Sequence, residues 1–96
     1  IGKYNVFMYD GPHEEQDQYD GIKFALPALD ETFLLIVDDW NWCDVRNGTM
    51  RCISDCKLRL KTNFFIRTTE DETHGEVINN VSDWHNGYFI AVISKN

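Results

Sequence analysis

Three aspartates stand where apolar segments of the sequence end. Asp10 follows Tyr4–Tyr9, and Asp38 and Asp39 follow residues 32–37. In an open α/β sheet, ligands gather outside the carboxyl ends of the strands, and neighbouring strands lie about 5 Å apart. Carboxylates that close repel one another unless a cation lies among them, and their oxygens suit Mg²⁺, Ca²⁺ or Mn²⁺. The spacing therefore predicts a divalent-metal site formed by Asp10, Asp38 and Asp39.

The same three acids have a simpler interpretation as turn residues. Asp10 precedes Gly11, and aspartate before glycine is ordinary turn chemistry. Either Asp38 or Asp39 would cap a turn after its strand in the same way. For any single acid the turn is favoured, whereas the coincidence of three acids at two strand ends leaves the turn and the metal about equally favoured.

Two further residue types near these acids could take part in chemistry. His13 lies three residues after Asp10, close enough to act as a general base or to hydrogen-bond a substrate. Trp40 follows the acid pair and could form the wall of a pocket for a ring or a sugar. The alternatives are an exposed loop histidine and an aromatic side chain that only packs.

Hydrophobic periodicity predicts the elements that would position these residues. Tyr4–Tyr9 is apolar on both alternations, which fits a strand buried on two faces better than an edge strand. Residues 32–37 form a continuous apolar run, as central parallel strands do. With a helix between them the two segments make a βαβ unit, so we expect the first two strands to be parallel.

The helix of this unit should begin near Glu14, and Pro27 should kink or end it near residues 24–26, with a loose turn by Asp30. Polar residues such as Gln18 fall outside its apolar stripe. The stripe consists of Tyr19, Ile22, Leu26 and Leu29.

The second half of the chain predicts one more helix and two more strands. Asp44 is expected to cap a helix over residues 45–60, followed by a strand over residues 63–68. Residues 70–86 are polar and would connect this strand to a last one over residues 88–93. The order is βαβαββ, an α/β layer protein whose parallel strands are followed by an antiparallel terminal hairpin.

Composition excludes several classes of function. The 96 residues allow one domain, and 43% hydrophobic residues are enough for a core. A net charge of −7 disfavours nucleic acid and anionic membranes as partners, and the apolar runs are too short to span a bilayer.

The three cysteines, Cys43, Cys52 and Cys56, include no C-x-x-C pair. Neither a disulfide framework nor a zinc site is indicated. We therefore expect reduced thiols in a cytoplasmic protein, with Cys52 and Cys56 as small packing residues on one helix face.

The segments YDGPHEEQDQYDGI and FLLIVDDWNWCDVRNGT carry a resemblance to a known family. They resemble the C-terminal half of a class I S-adenosylmethionine-dependent methyltransferase, nearest to the metal-dependent macrolide and aminocoumarin sugar O-methyltransferases. In that branch one strand ends in Asp-Gly-Asp, with or without a histidine, and the next ends in Asp-Asp plus an aromatic residue. The matching positions here are Asp10 with Gly11, His13, Asp38 with Asp39 and Trp40, and Arg46.

The resemblance implies a role for each matching residue. Asp10, Asp38 and Asp39 would be Mg²⁺ ligands, and Trp40 and Arg46 would contact the substrate. The family's second aspartate of Asp-Gly-Asp is Pro12 in this chain, so His13 is the substitute candidate for the catalytic base.

The resemblance also implies a cofactor site outside this chain. The family binds S-adenosylmethionine in the preceding half through a Gly-rich loop, and the six glycines here include no G-x-G. We therefore expect residues 1–96 to form a single partial Rossmann-like domain that is inactive alone. Its partners would be a small-molecule hydroxyl acceptor such as a sugar, and a second copy of the chain or a complementing N-terminal half.

Two other classes of protein compete with this interpretation. A non-catalytic α/β binding module could use the same acids to hold a metal or a sugar. A phosphotransfer domain of receiver type also gathers three acids around Mg²⁺, but it has its acid pair on an early strand, so the order found here argues against it.

Overall fold

The computed structural model describes residues 3–12, 14–67 and 87–96. These residues form four strands, two α-helices and one short 3-10 helix. The strands are β1 (Tyr4–Tyr9), β2 (Leu29–Asp38), β3 (Arg59–Ile66) and β4 (Tyr88–Ser94). The helices are α1 (Glu15–Ala25) and α2 (Cys43–Asp55), and the 3-10 helix is Leu26–Ala28.

The four strands form one sheet in the order β1-β2-β4-β3. β1 pairs with β2 in parallel, with Tyr9 opposite Val37. β4 is antiparallel to both β2 and β3, so β3 runs in the same direction as β1 and β2. The α/β class, the parallel first pair and the antiparallel terminal pair are thereby confirmed.

The core lies between one face of the sheet and the two helices. Alternate residues of β2 and β4 face the helices, because side chains along a strand point to opposite faces. They meet the apolar sides of α1 and α2, which also pack on each other. The main buried side chains are Ile22, Leu29, Phe33, Leu35, Val37, Val45, Cys52, Ile53, Phe89, Ala91 and Ile93.

The opposite face of the sheet is apolar and exposed. Met8 lies opposite Ile36, Ile36 opposite Ile90, and Ile90 opposite Phe64, so these four side chains form one row across the sheet. Met8 is 50% exposed and Phe64 51% exposed. We call the apolar side chains of this side the open face; Val6, Leu34 and Val92 form a second row of it.

The prediction that β1 is buried on two faces is wrong. β1 is an edge strand of the described sheet, and its residues Tyr4 and Val6 are 70% and 53% exposed. Phe7 packs against the core, and Tyr9 donates a hydrogen bond from its hydroxyl to the backbone oxygen of Asp17 in α1. Only one side of β1 is therefore covered by the elements that the structure describes.

The second helix is shorter than predicted, and Asp44 does not cap it. The N-cap of α2 is Trp42, which makes no side-chain cap hydrogen bond. The helix ends at Asp55 because Lys57 has a φ of 54° and reverses the chain. The backbone N–H of Leu58 then donates to the oxygen of Ile53 at 2.9 Å, which is the closure of a Schellman motif.

The predicted starts of two strands also differ from those in the structure. β3 begins at Arg59 rather than at residue 63, and β2 begins at Leu29 rather than at residue 32. The connection predicted over residues 70–86 lies outside the described residues. Among those that are described, no helix combines the length and apolar character needed to cross a membrane.

The two helices approach closely at Gly48. A Cβ atom at this position would overlap the backbone oxygen of Glu15 and lie 2.8 Å from Cβ of Gln18. Gln18 was predicted to lie outside the buried stripe, but it is 2% exposed. Its Nε2 donates to Oγ1 of Thr49 at 3.0 Å, and this bond satisfies an amide that burial would otherwise penalise.

Candidate metal centre

Asp10, Asp38 and Asp39 come together at the carboxyl edge of β1 and β2. One carboxylate oxygen from each residue lies within 4.8 Å of those of the other two. Asp10 directly follows β1, and Asp38 is the last residue of β2. Because Tyr9 lies opposite Val37 in the parallel register, Asp10 and Asp38 lie side by side at the same sheet edge. The predicted convergence of the three acids is therefore present.

The spacing of these oxygens suits a single divalent ion. Ligand oxygens lie about 2.0–2.1 Å from Mg²⁺ and about 2.3–2.6 Å from Ca²⁺, so two oxygens on one ion are at most about 4.2 Å apart on Mg²⁺ and about 5.2 Å apart on Ca²⁺. The limit of 4.8 Å on the separations therefore lies within the span of Ca²⁺, and oxygens at that limit would have to move about 0.6 Å closer to bind Mg²⁺. Three carboxylates carry more negative charge than is needed to balance one divalent ion. The carboxylates of Asp10, Asp38 and Asp39 are thus the residues that could hold a metal.

The backbone at Asp39 explains how two consecutive acids reach the same point. Along a continuing strand, Asp38 and Asp39 would point to opposite faces of the sheet. Asp39 instead has a φ of 62°, which breaks the alternation. Its backbone N–H donates to Oδ1 of Asp38 at 2.8 Å, and its side chain is mostly buried.

Tyr88 also belongs to this cluster, although nothing in the sequence around it predicted such a role. It begins β4 and lies opposite Asp38 in the antiparallel register. Its hydroxyl donates a hydrogen bond to the Asp38 carboxylate. Burial raises the pKa of Tyr88, and the charges of Asp38, Asp10 and Asp39 raise that pKa further, so the phenol remains a donor. The only available signal was its place as the first residue of the last strand.

The loop after Asp39 is fixed by Arg46. Nη1 of Arg46 donates to the backbone oxygens of Trp40 at 2.8 Å and Asn41 at 2.9 Å. The backbone N–H of Trp40 donates to the oxygen of Gly87 at 3.3 Å. Gly87 has a φ of 89°, a conformation that glycine adopts more readily than other residues. Arg46 thus holds the turn that presents Asp39, and its predicted contact with the substrate stays a prediction.

Trp40 both packs and lines a groove. Its ring stacks on Phe89 with centroids 4.4 Å apart, and the side chain is 5% exposed. Trp40 and Arg46 are also among the residues that line a groove of about 460 Å³ between α2 and β3. We call this the aromatic groove; Met50, Phe65, Arg67 and Phe89 complete its main lining. Both interpretations of Trp40, packing and pocket wall, are therefore compatible with its position.

Two other sets of candidate residues lie apart from the acids. His13 lies outside the described residues, so its role as a base stays a prediction. Cys52 is buried, and its Sγ atom is 3.9 Å from that of Cys56. This placement agrees with the packing role expected for both cysteines.

Comparison of the chain with protein-family models, with curated proteins and with solved structures finds no significant match in any of the three. The chemistry of the site must therefore be argued from its own geometry.

Proposed function

We propose that this chain carries the metal-binding edge of a Mg²⁺-dependent O-methyltransferase that uses S-adenosylmethionine and acts on a hydroxyl group of a small molecule. The observation that supports this proposal most is the convergence of three carboxylate oxygens within 4.8 Å at the ends of β1 and β2. Two parallel strands followed by an antiparallel terminal pair agree with the Rossmann-like sheet that the resemblance implies.

The residues at this edge of the sheet have different proposed roles. A bound divalent cation supplies Lewis-acid chemistry, which lowers the pKa of an acceptor hydroxyl and orients it for attack on a methyl group. Asp10, Asp38 and Asp39 provide the negative charge that holds the cation. Tyr88 orients the carboxylate of Asp38, and Arg46 holds the turn that carries Asp39. His13 is the proposed base, in keeping with its position three residues after Asp10.

The methyl donor does not fit the described residues. Residues Asp10, Gly11 and Pro12 follow β1, and this turn contains one glycine rather than a Gly-rich loop. We therefore assign no residue of this chain to S-adenosylmethionine, and the donor rests on the resemblance alone.

Thermal unfolding in the presence of Mg²⁺, Mn²⁺ or Ca²⁺ tests the metal site. An ion at ten times its Kd adds about 1.4 kcal/mol of stability, which raises the Tm of a domain this size by roughly 6–11 °C. Asp38→Asn should abolish the shift. It should also raise the Tm of the metal-free protein, because it relieves repulsion among the acids.

Asp44→Asn is the matched control for this experiment. Asp44 is exposed in the first turn of α2, so its replacement changes the net charge equally but leaves the acid cluster intact. It should keep the full response to the ion. An unchanged Tm at 10 mM ion, or equal shifts in both variants, would count against the metal site.

A non-catalytic binding module is the second candidate, favoured by the single glycine after β1. Calorimetric titration of S-adenosylmethionine into the Mg²⁺-loaded full-length protein distinguishes the two. Saturable binding supports the methyltransferase, whereas a metal response without donor binding supports the module.

A further inference from the structure

We propose that the outer edge of β3 binds an extended acidic peptide, which adds to the sheet as a further strand. The occupant is a segment of a partner protein, with acidic residues beside the first half of β3 and apolar residues beside the second half. The proposal goes beyond the proposed function and does not depend on a metal, because none of the three clustered acids lies on β3.

The backbone of β3 is available along one side. In the described sheet β3 is an edge strand whose partner is β4 alone. The N–H and C=O groups on the outer side of such a strand can pair with an added strand. All residues of β3 except Ile66 are exposed, whereas alternate residues of β4 are buried. β3 therefore offers both its backbone and its side chains to a partner.

The second half of β3 presents apolar surface on both faces of the sheet. Phe64 lies opposite Ile90 on the open face and is 51% exposed. Phe65 lies opposite the core residue Phe89, on the helix side, and is 57% exposed. The alternate side chains of an added strand would lie beside these two rings, one on each face. Burial of this apolar surface would stabilise the complex.

The first half of β3 determines the charge of the partner. Arg59 and Lys61 are exposed, and within the described part of the chain no ion pair or hydrogen bond engages their side chains. Residues 57–67 contain no Asp or Glu, although the whole chain has a net charge of −7. Carboxylates on an added strand would pair with the two cations, whereas a basic strand would be repelled.

The same charges argue against a second copy of the chain at this edge. Pairing of β3 with β3 would bring the cations of both copies together without a facing acid. The register between β3 and β4 also shifts between Leu60 and Thr62, so Lys61 lies at an irregularity of the strand. Charged residues and bulges at a sheet edge prevent indiscriminate pairing. They restrict this edge to strands of opposite charge.

Amide NMR of the isotope-labelled chain with two synthetic peptides tests the proposal. The acidic probe is acetyl-Thr-Val-Thr-Val-Thr-Glu-Glu-amide, whose acids lie beside the first half of β3 in antiparallel pairing, the commoner arrangement. The basic probe has Lys in place of both Glu. We expect the acidic probe to shift the amide signals of β3 saturably, to slow the hydrogen exchange of its outer amides and to leave β1 unchanged.

The order of the two affinities is the critical result. The acidic probe should bind about fivefold to tenfold more tightly than the basic probe. The net charge of −7 acting alone would give the opposite order. The preference should decrease as the salt concentration rises, because exposed charges are screened.

Two double variants connect this preference with β3. Arg59→Gln combined with Lys61→Gln should reduce the preference for the acidic probe to less than about twofold. Lys3→Gln combined with Lys23→Gln is the matched control, because it removes the same charge from exposed positions outside β3. It should leave the preference unchanged.

Methylated probes test whether the peptide pairs through its backbone. Alternate N–H groups of a strand point to opposite sides, so only one series of them can face β3. Of two acidic probes N-methylated at the valines or at the threonines, one should lose binding and the other should keep it.

Several results would overturn the proposal. These are equal or tighter binding of the basic probe, signal shifts centred outside β3, equal effects of the two methylated probes, and no response at millimolar probe. An affinity that weakens as the protein concentration rises would show that a second copy competes for this edge, and would overturn the choice of an acidic partner.

Discussion

The backbone conformation of Asp39 is relevant to both interpretations of this residue, as a turn residue and as a metal ligand. Its φ of 62° lies in the left-handed region, which aspartate tolerates better than most residues but glycine adopts at no steric cost. A turn alone would thus be served better by glycine. Its carboxylate lies with those of Asp10 and Asp38 in a mostly buried position. This placement supports the interpretation of Asp39 as a metal ligand, which stays a prediction.

Cys52 leads to a prediction about alkaline pH. Burial, and to a smaller extent the neighbouring Cys56, raise the pKa of Cys52 to about 12. The unfolded chain loses this proton near pH 9, whereas the folded chain keeps it, so stability is complete below pH 9 and decreases between pH 9 and 12. Urea unfolding under reducing conditions should therefore show a lower midpoint at pH 10.5 than at pH 8.

The pKa of Tyr9 is also raised, chiefly by burial, so tyrosines could contribute to the same loss of stability at alkaline pH. A Cys52 variant separates the contribution of the thiol from theirs. Cys52→Ala should make the decrease in midpoint between pH 8 and 10.5 smaller than in the wild type. An identical decrease in both proteins would show that the Cys52 thiol does not contribute.

At the scale of helices and strands, the close contact between α1 and α2 predicts that replacing Gly48 with alanine destabilises the protein. Gly48→Ala improves helix propensity by about 1 kcal/mol. The added methyl group would overlap the backbone oxygen of Glu15, which cannot move without displacing α1. Because overpacking of this kind costs about 1–3 kcal/mol, we expect the urea midpoint to decrease.

The neighbouring position provides the control. Asn47 is exposed on the same helix, so Asn47→Ala gains propensity without entering the helix contact. Its midpoint should stay the same or increase slightly. If Gly48→Ala were the more stable of the two variants, the close approach of the helices would be wrong.

The elements that sequence predicted are those that local periodicity determines. The aromatic and branched residues of Tyr4–Tyr9 and the apolar run before Asp38 indicate two strands, and the helix between them makes their parallel pairing almost obligatory. The end of α2 was mispredicted because the left-handed turn is made by Lys57 instead of the usual glycine. The burial of Gln18 depends on Thr49 in another helix, which no local pattern reveals.

The residues of the site also fall into those that local sequence predicts and those that depend on distant contacts. Asp10, Asp38 and Asp39 could be predicted because each lies at the end of a strand and parallel strands share a carboxyl edge. Tyr88 could not, since it joins the cluster only through the insertion of β4 between β2 and β3.

At the scale of the whole molecule, the open face predicts self-association. Met8 and Phe64 are each about half exposed and belong to one apolar row across the sheet. Contiguous exposed apolar surface of this kind usually marks a contact with another protein. The average mass measured by sedimentation equilibrium should therefore rise with protein concentration, and Met8→Lys should suppress the rise.

Met50→Lys is the control for that experiment, because Met50 is comparably exposed at 42% but lies on the helix side. It should associate as the wild type does. A monomer at all concentrations would contradict the prediction. A second copy of the chain and a complementing N-terminal half both stay predicted partners, and this experiment tests the first of them.

The central place of β4 links completion of the fold to completion of the site. β4 is the last of the four strands along the chain, yet it is the partner of both β2 and β3. Until β4 has been synthesised and docked, β3 lacks its partner, Asp38 lacks Tyr88, and Trp40 lacks Phe89. Pairing between distant segments is a slow step in folding. A nascent chain therefore has neither the acid cluster nor the groove in final form before β4 leaves the ribosome, and a ligand of either site would select molecules whose translation has passed that point.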